Sequence, residues 1–422
     1  MPLTDSQKEI ITATVPILAS NGLTVTKHFY ETLLAENPAL RNLFSHSAQV
    51  SSHQATALAG ALYAYANHIN DLTPILPVVE RICQKHASIG VTADQYTIVG
   101  EYLLRAMKEV LGEETFTEQV KDAWLAAYMQ LAPLMASREE TIAQEHESTT
   151  GGWRGWRNVR IAKKVPESKD GNIKSFYLES TDGQPLPTYK PGQYISVRVD
   201  VPNLGYKQVR QYSLSDAPPT SEPAVFRITP KRESGINVHD LSQIAHPGYV
   251  SNVLHDTLNT GDIIEISHPA GDFFLDEADA ADSAPLVLIS AGIGLTPLFS
   301  ILKTSLALNS QRAASWVHVA RSAAEDGMVD EITTLMASDP NATRVVFHST
   351  PAAEEKRGVD YDVQGRLEMD ALAERNVLFL GNKEATYYIC GPNRFMNEIA
   401  AWLKARGVGA EKVKMEMFGA GK

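Results

Sequence analysis

The sequence is poor in cysteine, in basic charge and in long apolar runs. Its 422 residues include only two cysteines, Cys83 and Cys390, which form neither a disulfide framework nor a Cys-x-x-Cys pair. The 38 basic residues are outnumbered by 50 acidic ones, for a net charge of −12. The chain therefore lacks the basic surface that nucleic acid binding requires. No run of about 18 apolar residues is present that would span a bilayer.

The start of the chain lacks the pattern of a signal peptide. Residues 1–9 are largely acidic and polar, where a signal peptide has a basic stretch followed by an apolar one. We therefore expect a cytoplasmic protein without a membrane span, acting on small molecules. A composition of 44% apolar and 21% charged residues is typical of globular proteins, and the length predicts about three domains.

The first 145 residues have helical periodicity throughout. Apolar residues recur at three- and four-residue spacing from Thr4 to about Glu145, which predicts an all-α domain over residues 1–145. Probable chain breaks, which divide it into six or seven helices, are Asn21-Gly22, Asn37-Pro38, Ser45 to Ser52, Leu72 to Pro74, Gly90 to Ala93 and Leu111-Gly112.

The character of the sequence then changes twice. Residues 146–156 are polar and glycine-rich, which predicts a linker. Residues 157–280 hold short alternating runs separated by turn residues, which predicts an antiparallel six-stranded β-barrel. These runs are Val159 to Val165, Ile173 to Glu179, Tyr194 to Val201, Gln208 to Leu214, Val225 to Pro230 and Asp262 to Ser267.

Residues 281–422 alternate strands with helices. Such alternation predicts an α/β domain with a parallel sheet, whose ligand site lies at the carboxyl ends of the strands. The predicted strands are Leu286 to Ser290, Trp316 to Ala320, Arg344 to His348, Thr386 to Cys390 and Val413 to Met417, and the predicted helices include Leu298 to Leu308, Val329 to Ala337, Met369 to Glu374 and Phe395 to Lys404.

The helical domain contains the residues that a pentacoordinate haem requires. Such a haem needs one imidazole on a helix, an apolar pocket and a distal polar group, and Tyr30, Gln54, Leu58 and His86 meet that description. Without a cysteine pair, the haem would be held without thioether links, as haem b. His53 is a rival for the distal position. Helix register favours Gln54, because the apolar Leu58 follows Gln54 by one turn.

Two further segments are suited to nucleotides. Arg210-Gln211-Tyr212-Ser213 places a guanidinium, an aromatic ring and a hydroxyl within four residues, suitable for a phosphate and a flat ring. The segment 291–297, Ala-Gly-Ile-Gly-Leu-Thr-Pro, follows a buried strand and opens a helix, so that a pyrophosphate can approach the backbone. It lacks the third glycine of the usual dinucleotide fingerprint, and taken alone each motif is also compatible with an ordinary strand or turn.

In combination, these motifs resemble the flavohaemoglobins. The first domain resembles their globin part through His-Phe-Tyr30, Gln54-x-x-x-Leu58, Gln-Lys-His86 and Gln-Tyr96-x-x-Val-Gly. The remainder resembles the ferredoxin-reductase-like flavoproteins. It has Pro-Gly-Gln-Tyr194, the segment 210–213, the segment 248–252, the segment 291–297, Cys390-Gly391-Pro392 and Glu416-Met-Phe418 in that family's order.

The resemblance implies roles for individual residues. His86 would ligate the iron and hydrogen-bond Glu139, with Tyr96 completing the network, while Tyr30, Gln54 and Leu58 would form the distal side. The residues implied for FAD are Tyr194, Arg210, Gln211, Tyr212, Ser213, Gly248, Val250, Ser251 and Asn252. Those implied for the nicotinamide nucleotide are Gly292, Gly294, Thr296, Pro297, Cys390, Gly391 and Pro392. Phe418 would cover the flavin, and Lys85 and Glu416 would lie between flavin and haem.

Two segments leave questions about the nucleotides open. Glu233 to His246 is longer and more polar than the usual connection to the phosphate loop, which affects the placement of the adenosine end. Arg321-Ser322 follows the second predicted strand, where an arginine can bind the 2′-phosphate of NADPH or simply be solvated. The family preference favours NADH.

The implied activity is nitric oxide dioxygenation, which converts nitric oxide and O2 to nitrate. Electrons would pass from NAD(P)H through FAD to the haem iron of a monomer. Two other classes remain open at this point. One is a haem-based sensor of O2 or nitric oxide. The other is a diaphorase, or a ferric or lipid-hydroperoxide reductase, in which the globin part is secondary.

Overall fold

The N-terminal region is a bundle of helices. The computed structural model describes residues 2–220, 224–233, 248–276, 279, 282–309 and 311–418. The helices of this region are α1 (Asp5–Ala13), α2 (Val15–Glu36), α3 (His46–Val50), α4 (His53–Asn67), α5 (Leu76–Ile89), α6 (Ala93–Leu111) and α7 (Glu118–Ser148), with 3-10 turns at Pro38–Asn42 and Thr73–Ile75. Thr4 and Thr92 begin α1 and α6 with capping boxes, and left-handed Gly90 ends α5. The predicted all-α domain is confirmed.

One predicted break is wrong. Helix α2 runs without interruption through Asn21-Gly22, and the chain instead breaks at Thr14, between α1 and α2. A Cβ atom at Gly22 would lie 3.5 Å from Cβ of Ala59 on α4. The glycine therefore allows two helices to cross closely, a role that tertiary packing assigns and a local breaker signal does not reveal.

The second region is the predicted antiparallel barrel. Its strands are β1 (Arg157–Pro166), β2 (Lys174–Ser180), β3 (Tyr194–Val201), β4 (Tyr206–Ser213), β5 (Phe226–Ile228) and β6 (Ile263–Ile266), in the order β4-β3-β6-β1-β2-β5. A bridge between Leu214 and Ile228 joins the two outer strands and closes the barrel. Helix α8 (Tyr249–Asn252) continues into a π-helical turn over Val253–Thr257. Since α7 extends to Ser148, the first residues of the predicted linker are helical.

The third region is the predicted parallel α/β domain. Its strands are β7 (Leu286–Ala291), β8 (Ala314–Ala320), β9 (Ala342–His348), β10 (Val363–Gln364), β11 (Thr386–Cys390) and β12 (Val413–Glu416), in the order β10-β9-β8-β7-β11-β12. Its helices are α9 (Leu295–Leu308), α10 (Val329–Ala337), α11 (Met369–Glu374) and α12 (Asn393–Ala405). The strand order reverses between β7 and β11, and such a switch point opens the crevice where ligands bind in sheets of this kind.

Buried charges join the second and third regions. The Arg227 side chain is 3% exposed and forms ion pairs with Glu167 at 2.8 Å and with Glu331 of α10 at 2.6 Å. Because both carboxylates accept hydrogen bonds from the guanidinium, its burial is compensated. Among the described helices, none is long and apolar enough to cross a membrane.

Candidate functional site

His86 lies at the centre of a hydrogen-bond network in the helical domain. Its Nδ1 atom is 2.8 Å from Oε1 of Glu139 on α7 and 3.0 Å from the Tyr96 hydroxyl on α6. The Tyr96 hydroxyl donates to the same Glu139 oxygen at 2.5 Å. Three helices thus meet at one buried carboxylate, which is the contact that the resemblance implies.

The polarity of this network fixes the state of the imidazole. Glu139 is 5% exposed and accepts from both partners, so Nδ1 of His86 carries the proton that it donates. Nε2 is then the ring nitrogen that would ligate an iron, because an imidazole whose other nitrogen is hydrogen-bonded to a carboxylate is typical of metal ligands. Burial, together with the hydrogen bond and charge of Glu139, raises the pKa of Tyr96 far above its ordinary value, so Tyr96 stays a donor.

The predicted distal residues also come together. Burial raises the pKa of Tyr30 well above its ordinary value, and a hydrogen bond with Gln54 opposes this in part. Leu58 lies one turn beyond Gln54 on α4 and packs against the same helical core. His53 is exposed, with Nδ1 at 2.7 Å from the Ser51 hydroxyl. The His53 ring is thus engaged with Ser51 and lines the cleft, and no described contact joins it to Tyr30.

A large cleft lies where the three regions meet. The side chains from the globin side include Ser45, Ser51, His53 and Lys85. The barrel contributes Tyr194, Arg210, Gln211, Tyr212, Ser213, Gly248, Val250 and Ser251, and the α/β domain contributes Thr296, Glu416 and Phe418. Most of the residues expected to hold a flavin therefore line one continuous surface.

Strands β3 and β4 place the aromatic residues of the cleft. Tyr194 pairs with Ser213, and Ile195 pairs with Tyr212. The Tyr212 hydroxyl is buried and has no hydrogen-bond partner among the described residues. A buried hydroxyl without a partner can hydrogen-bond a bound polar group, and the nearby Arg210 can pair with a phosphate. FAD carries both a polar ring system and phosphates, so the cleft fits FAD.

Some residues of the 248–252 segment line the cleft, and others hold the segment in shape. Ser251 donates to the Gly248 carbonyl at 2.9 Å, and the Asn252 amide donates to the carbonyls of Gly248 and Glu233 at 2.9 and 3.0 Å. Asn252 is fully buried, so its side chain shapes the loop from behind. The backbone amide of Asn252 also donates to the Gly248 carbonyl at 2.9 Å, so the expectation that this amide is free for a phosphate is wrong. In the long polar connection from Glu233 to His246, only Glu233 belongs to the described residues.

Lys85 and Glu416 occupy the boundary between the helical domain and the cleft. Burial lowers the pKa of Lys85, while the charges of Glu416 and Asp272 act in the opposite direction. Burial raises the pKa of Glu416 to about 7, opposed mainly by Lys85. Lys85 directly precedes His86, so the residue next to the proposed iron ligand faces the cleft.

In the glycine-rich loop that follows β7, close backbone contacts leave no space for side chains. A Cβ atom at Gly294 would collide with the Cys390 carbonyl oxygen, and one at Gly391 would lie 3.1 Å from Cβ of Ala291. Gly292 has a φ of 53°, which favours glycine. These glycines, with Pro297 and Pro392, hold the ends of β7 and β11 together at the switch point. Cys390 is fully buried there, which raises the pKa of its thiol.

Sequence reasoning missed several residues at this site. Ile293, Asn393 and Gln208 line the cleft. Gln49 and Ser196 form hydrogen bonds with Gln54 and Ser88, respectively. Asn393 is the first residue of α12 and directly follows Cys390-Gly391-Pro392, so a helix-start signal was available. Gln208, Gln49 and Ser196 belong to no motif. The partners of Gln208 and Ser196 lie in other regions of the chain, whereas Gln49 contacts Gln54 only five residues away.

Comparison with known proteins places these features in context. Residues 27–135 match the globin family, and residues 288–401 match the oxidoreductase NAD-binding domain. A flavohemoprotein of Bordetella parapertussis is 44% identical over 419 residues, covering 99% of each chain. A flavohemoprotein of Rhizobium meliloti is 39% identical over 417 residues, covering 99% of this chain and 98% of the relative.

Two solved structures are also similar. A flavohemoglobin from Malassezia yamatoensis with bound FAD and heme has a TM-score of 0.82 at 27% identity, covering 99% of this chain and all of the other. The FAD/NAD-binding domain of a nitric oxide dioxygenase from Vibrio cholerae has a TM-score of 0.52 at 33% identity, covering 62% of this chain and 98% of the other.

Proposed function

Because the chain belongs to the flavohaemoprotein family, we propose that it is an NAD(P)H-dependent nitric oxide dioxygenase with haem b and FAD. The observation that carries this proposal is the position of Lys85. It lines the flavin-type cleft, and the next residue, His86, has its Nδ1 bonded to Glu139. A route from reductase to haem is therefore built into one chain.

The bound groups supply chemistry that side chains lack. The nicotinamide supplies hydride, FAD converts two-electron into one-electron transfer, and haem iron activates O2. The protein binds and orients these groups and controls protons around them.

His86 would hold a proton at Nδ1, donated to Glu139, and would ligate the haem iron through Nε2. The negative charge of Glu139 makes the imidazole more electron-rich, and Tyr96 keeps the carboxylate in place. A strongly basic ligand favours oxygen activation over storage. On the distal side, Tyr30 and Gln54 would donate hydrogen bonds to a diatomic ligand, and Leu58 would restrict the space around it.

In the cleft, Arg210 would pair the FAD pyrophosphate together with the backbone amides at Val250 and Ser251, beside Gly248, whereas the backbone amide of Asn252 already donates to the Gly248 carbonyl at 2.9 Å. Tyr212 would pack on the isoalloxazine, with Ser213 near its reactive nitrogen and Tyr194 beside it. Gln211 would hold the strand against β3, since its amide donates to Ser196 at 3.4 Å. Phe418 would cover the ring, and Glu416 with Lys85 would lie towards the haem.

The loop Gly292 to Pro297, including Gly294 and Thr296, would receive the pyrophosphate of the nicotinamide nucleotide, with Cys390-Gly391-Pro392 next to its ring. We propose NADH as the preferred donor. The Nε atom of Arg321 lies 3.8 Å from Glu325. The 2′-phosphate of NADPH would need the positive charge of Arg321, and the Glu325 carboxylate partly neutralises that charge.

We also propose a division into a globin domain (residues 1–145), a linker (146–156), an FAD domain (157–280) and a nicotinamide domain (281–422). Each proposed site is made by residues of one chain, which supports a monomer. The buried free thiols of Cys83 and Cys390 support the reducing environment of the cytoplasm.

The test follows NADH oxidation and nitrate formation with nitric oxide and O2 present. Conversion of NO and O2 to nitrate takes one electron, so a hydride donor should support two conversions. We expect nitric oxide to accelerate NADH oxidation, with two nitrates per NADH. The His86→Ala variant should lose this acceleration, whereas the matched His68→Ala variant should keep it. NADH oxidation that nitric oxide does not stimulate would favour the diaphorase alternative.

A further inference from the structure

We propose that Gln208 and Gln49 are positioning residues for the distal pair Gln54 and Tyr30. Through them, the strand that carries the flavin-binding motif sets the orientation of the distal hydrogen-bond donor. This inference rests on the distal role proposed above for Gln54 and Tyr30. It adds two residues that none of the motifs in the chain contains.

In the first step, hydrogen bonds of Gln208 join β4 to the segment that precedes α4, and we call this set of contacts the Gln208 clamp. Gln208 is 2% exposed, and its Oε1 atom accepts from the backbone amide of His46 at 2.7 Å. Its Nε2 atom donates to the carbonyls of Arg41 and Phe44 at 3.4 and 3.3 Å. One buried side chain thus uses both ends of its amide on three backbone groups of the helical domain.

Neighbouring residues of β4 strengthen the clamp. The backbone amide of Lys207 donates to Oδ1 of Asn42 at 2.9 Å, and the Tyr206 hydroxyl lies 2.9 Å from Nδ1 of His46. Contacts of this kind fix the start of α3, since His46 is its first residue. Gln208 also shares a strand face with Arg210 and Tyr212, because alternate residues of a strand point the same way.

The second step leads from α3 to the distal helix. Gln49 lies on α3, one turn after the clamped His46, and its Nε2 atom donates to Oε1 of Gln54 at 2.7 Å. Ser52, with a φ of 59°, makes the sharp turn between α3 and α4. The turn brings Gln49 back over the first residues of α4, where Gln54 lies.

The third step is the direction of the hydrogen bonds. Since Gln54 accepts through Oε1 from Gln49, its amide nitrogen is the end left to donate to the Tyr30 hydroxyl. A donor at the Tyr30 oxygen leaves the hydroxyl hydrogen of Tyr30 available for a ligand. Without Gln49, the Gln54 amide could rotate and turn its oxygen towards Tyr30. The Tyr30 hydroxyl would then donate to Gln54 and no longer to a ligand.

The experiment uses the full-length holoprotein and two readouts, neither of which is turnover. One is the C–O stretching band of the ferrous carbon monoxide complex, which responds to distal hydrogen-bond donors. The other is the O2 dissociation rate. The variants are Gln49→Ala, Gln208→Ala, the double variant and Gln54→Leu, with Gln144→Ala at an exposed position of α7 as the matched control.

We expect Gln49→Ala and Gln208→Ala each to shift the band and raise the dissociation rate about fivefold, as loss of one neutral hydrogen bond would. The double variant should resemble a single one, because both act through one chain of contacts. Gln144→Ala should match the parent protein.

Two results would overturn the inference, and a third would overturn the distal role on which it rests. An unchanged band in Gln208→Ala, even with a lower melting temperature, would show that the clamp serves stability alone. Additive effects in the double variant would break the link between the two residues. If Gln54→Leu itself leaves both readouts unchanged, the distal role proposed above fails, which is a separate outcome from failure of the two positioning residues.

Discussion

At the scale of single residues, the direction of hydrogen bonds matters more than their number. Glu139 accepts from both His86 and Tyr96, and Gln54 accepts from Gln49. On the proximal side this assigns the Nδ1 proton, and on the distal side it leaves a tyrosine hydroxyl free to donate. The proximal assignment follows because a carboxylate only accepts, and the distal one follows from the orientation of the Gln49 and Gln54 amides.

The Tyr30 hydroxyl is expected to hold a ligand at the distal face. In Tyr30→Phe the hydrogen bond is lost while the ring is kept, so O2 should dissociate about ten times faster or more. Flash photolysis or stopped-flow mixing measures the rate. Tyr63→Phe, at an exposed position on the same helix as Gln54, is the control. Equal rates for Tyr30→Phe and the parent protein would remove Tyr30 from the distal site.

Glu416 is expected to make stability depend on pH. Burial raises its pKa from 4.5 to about 7. Between these values the folded state keeps a proton that the unfolded state releases, so the free energy of unfolding should fall as pH rises, by at most about 3 kcal/mol. Above about pH 7 the effect is constant.

The measurement is the melting temperature of the apoprotein against pH. The gain in stability of Glu416→Gln over the parent protein should increase from about pH 4.5 to about pH 7. Glu384→Gln replaces an exposed carboxylate in the same domain and should show no such increase. A constant difference between Glu416→Gln and parent protein across this range would contradict the buried-carboxylate account.

At the scale of elements, motif-bearing segments were predictable and their supports were not. Register alone favoured Gln54 over His53, because helix geometry is local. Gly22 was wrongly read as a helix break, since its role depends on Ala59 in another helix. Gln208 escaped notice for the same reason, as its partners are set by how β4 meets the helical domain. Gln49 escaped notice because its contact with Gln54 depends on the turn at Ser52 between α3 and α4, which no residue pattern indicated. The strand order also required tertiary information.

The end of α7 offers a test at this scale. His146 in its last turn stacks on His268 of the barrel, with ring centroids 4.1 Å apart. Burial lowers the pKa of both rings from 6.5 to about 4, and for His268 the charge of His146 adds to this. Their neutral stacked state therefore favours folding above about pH 6.5, and this contribution is lost as pH falls towards 4.

Limited proteolysis should detect the loss. Cleavage within residues 149–156 should be faster at about pH 5 than at about pH 7.5. His268→Phe keeps an aromatic ring without a titrating group, so its cleavage rate should vary less with pH. Each cleavage rate is divided by the activity of the protease on an unstructured peptide at the same pH. A variant that retains the parent's pH dependence would exclude the stacked histidines as its source.

At the scale of the whole molecule, three regions converge on one cleft. The barrel supplies Arg210 and Tyr212, the α/β domain supplies Thr296 and Glu416, and the helical domain supplies Lys85 beside His86. Buried ion pairs of Arg227 hold the barrel to the α/β domain, and the Gln208 contacts hold it to the helical domain. Electron delivery within one chain is the central claim of this account.

Anaerobic stopped-flow mixing of the holoprotein with NADH tests that claim most directly. Flavin absorbance should bleach first, and the haem spectrum should then change from ferric to ferrous at a rate that does not depend on protein concentration. Reduced flavin with haem that stays ferric would contradict the claim. So would a haem reduction rate that rises in proportion to protein concentration, since transfer would then occur between molecules.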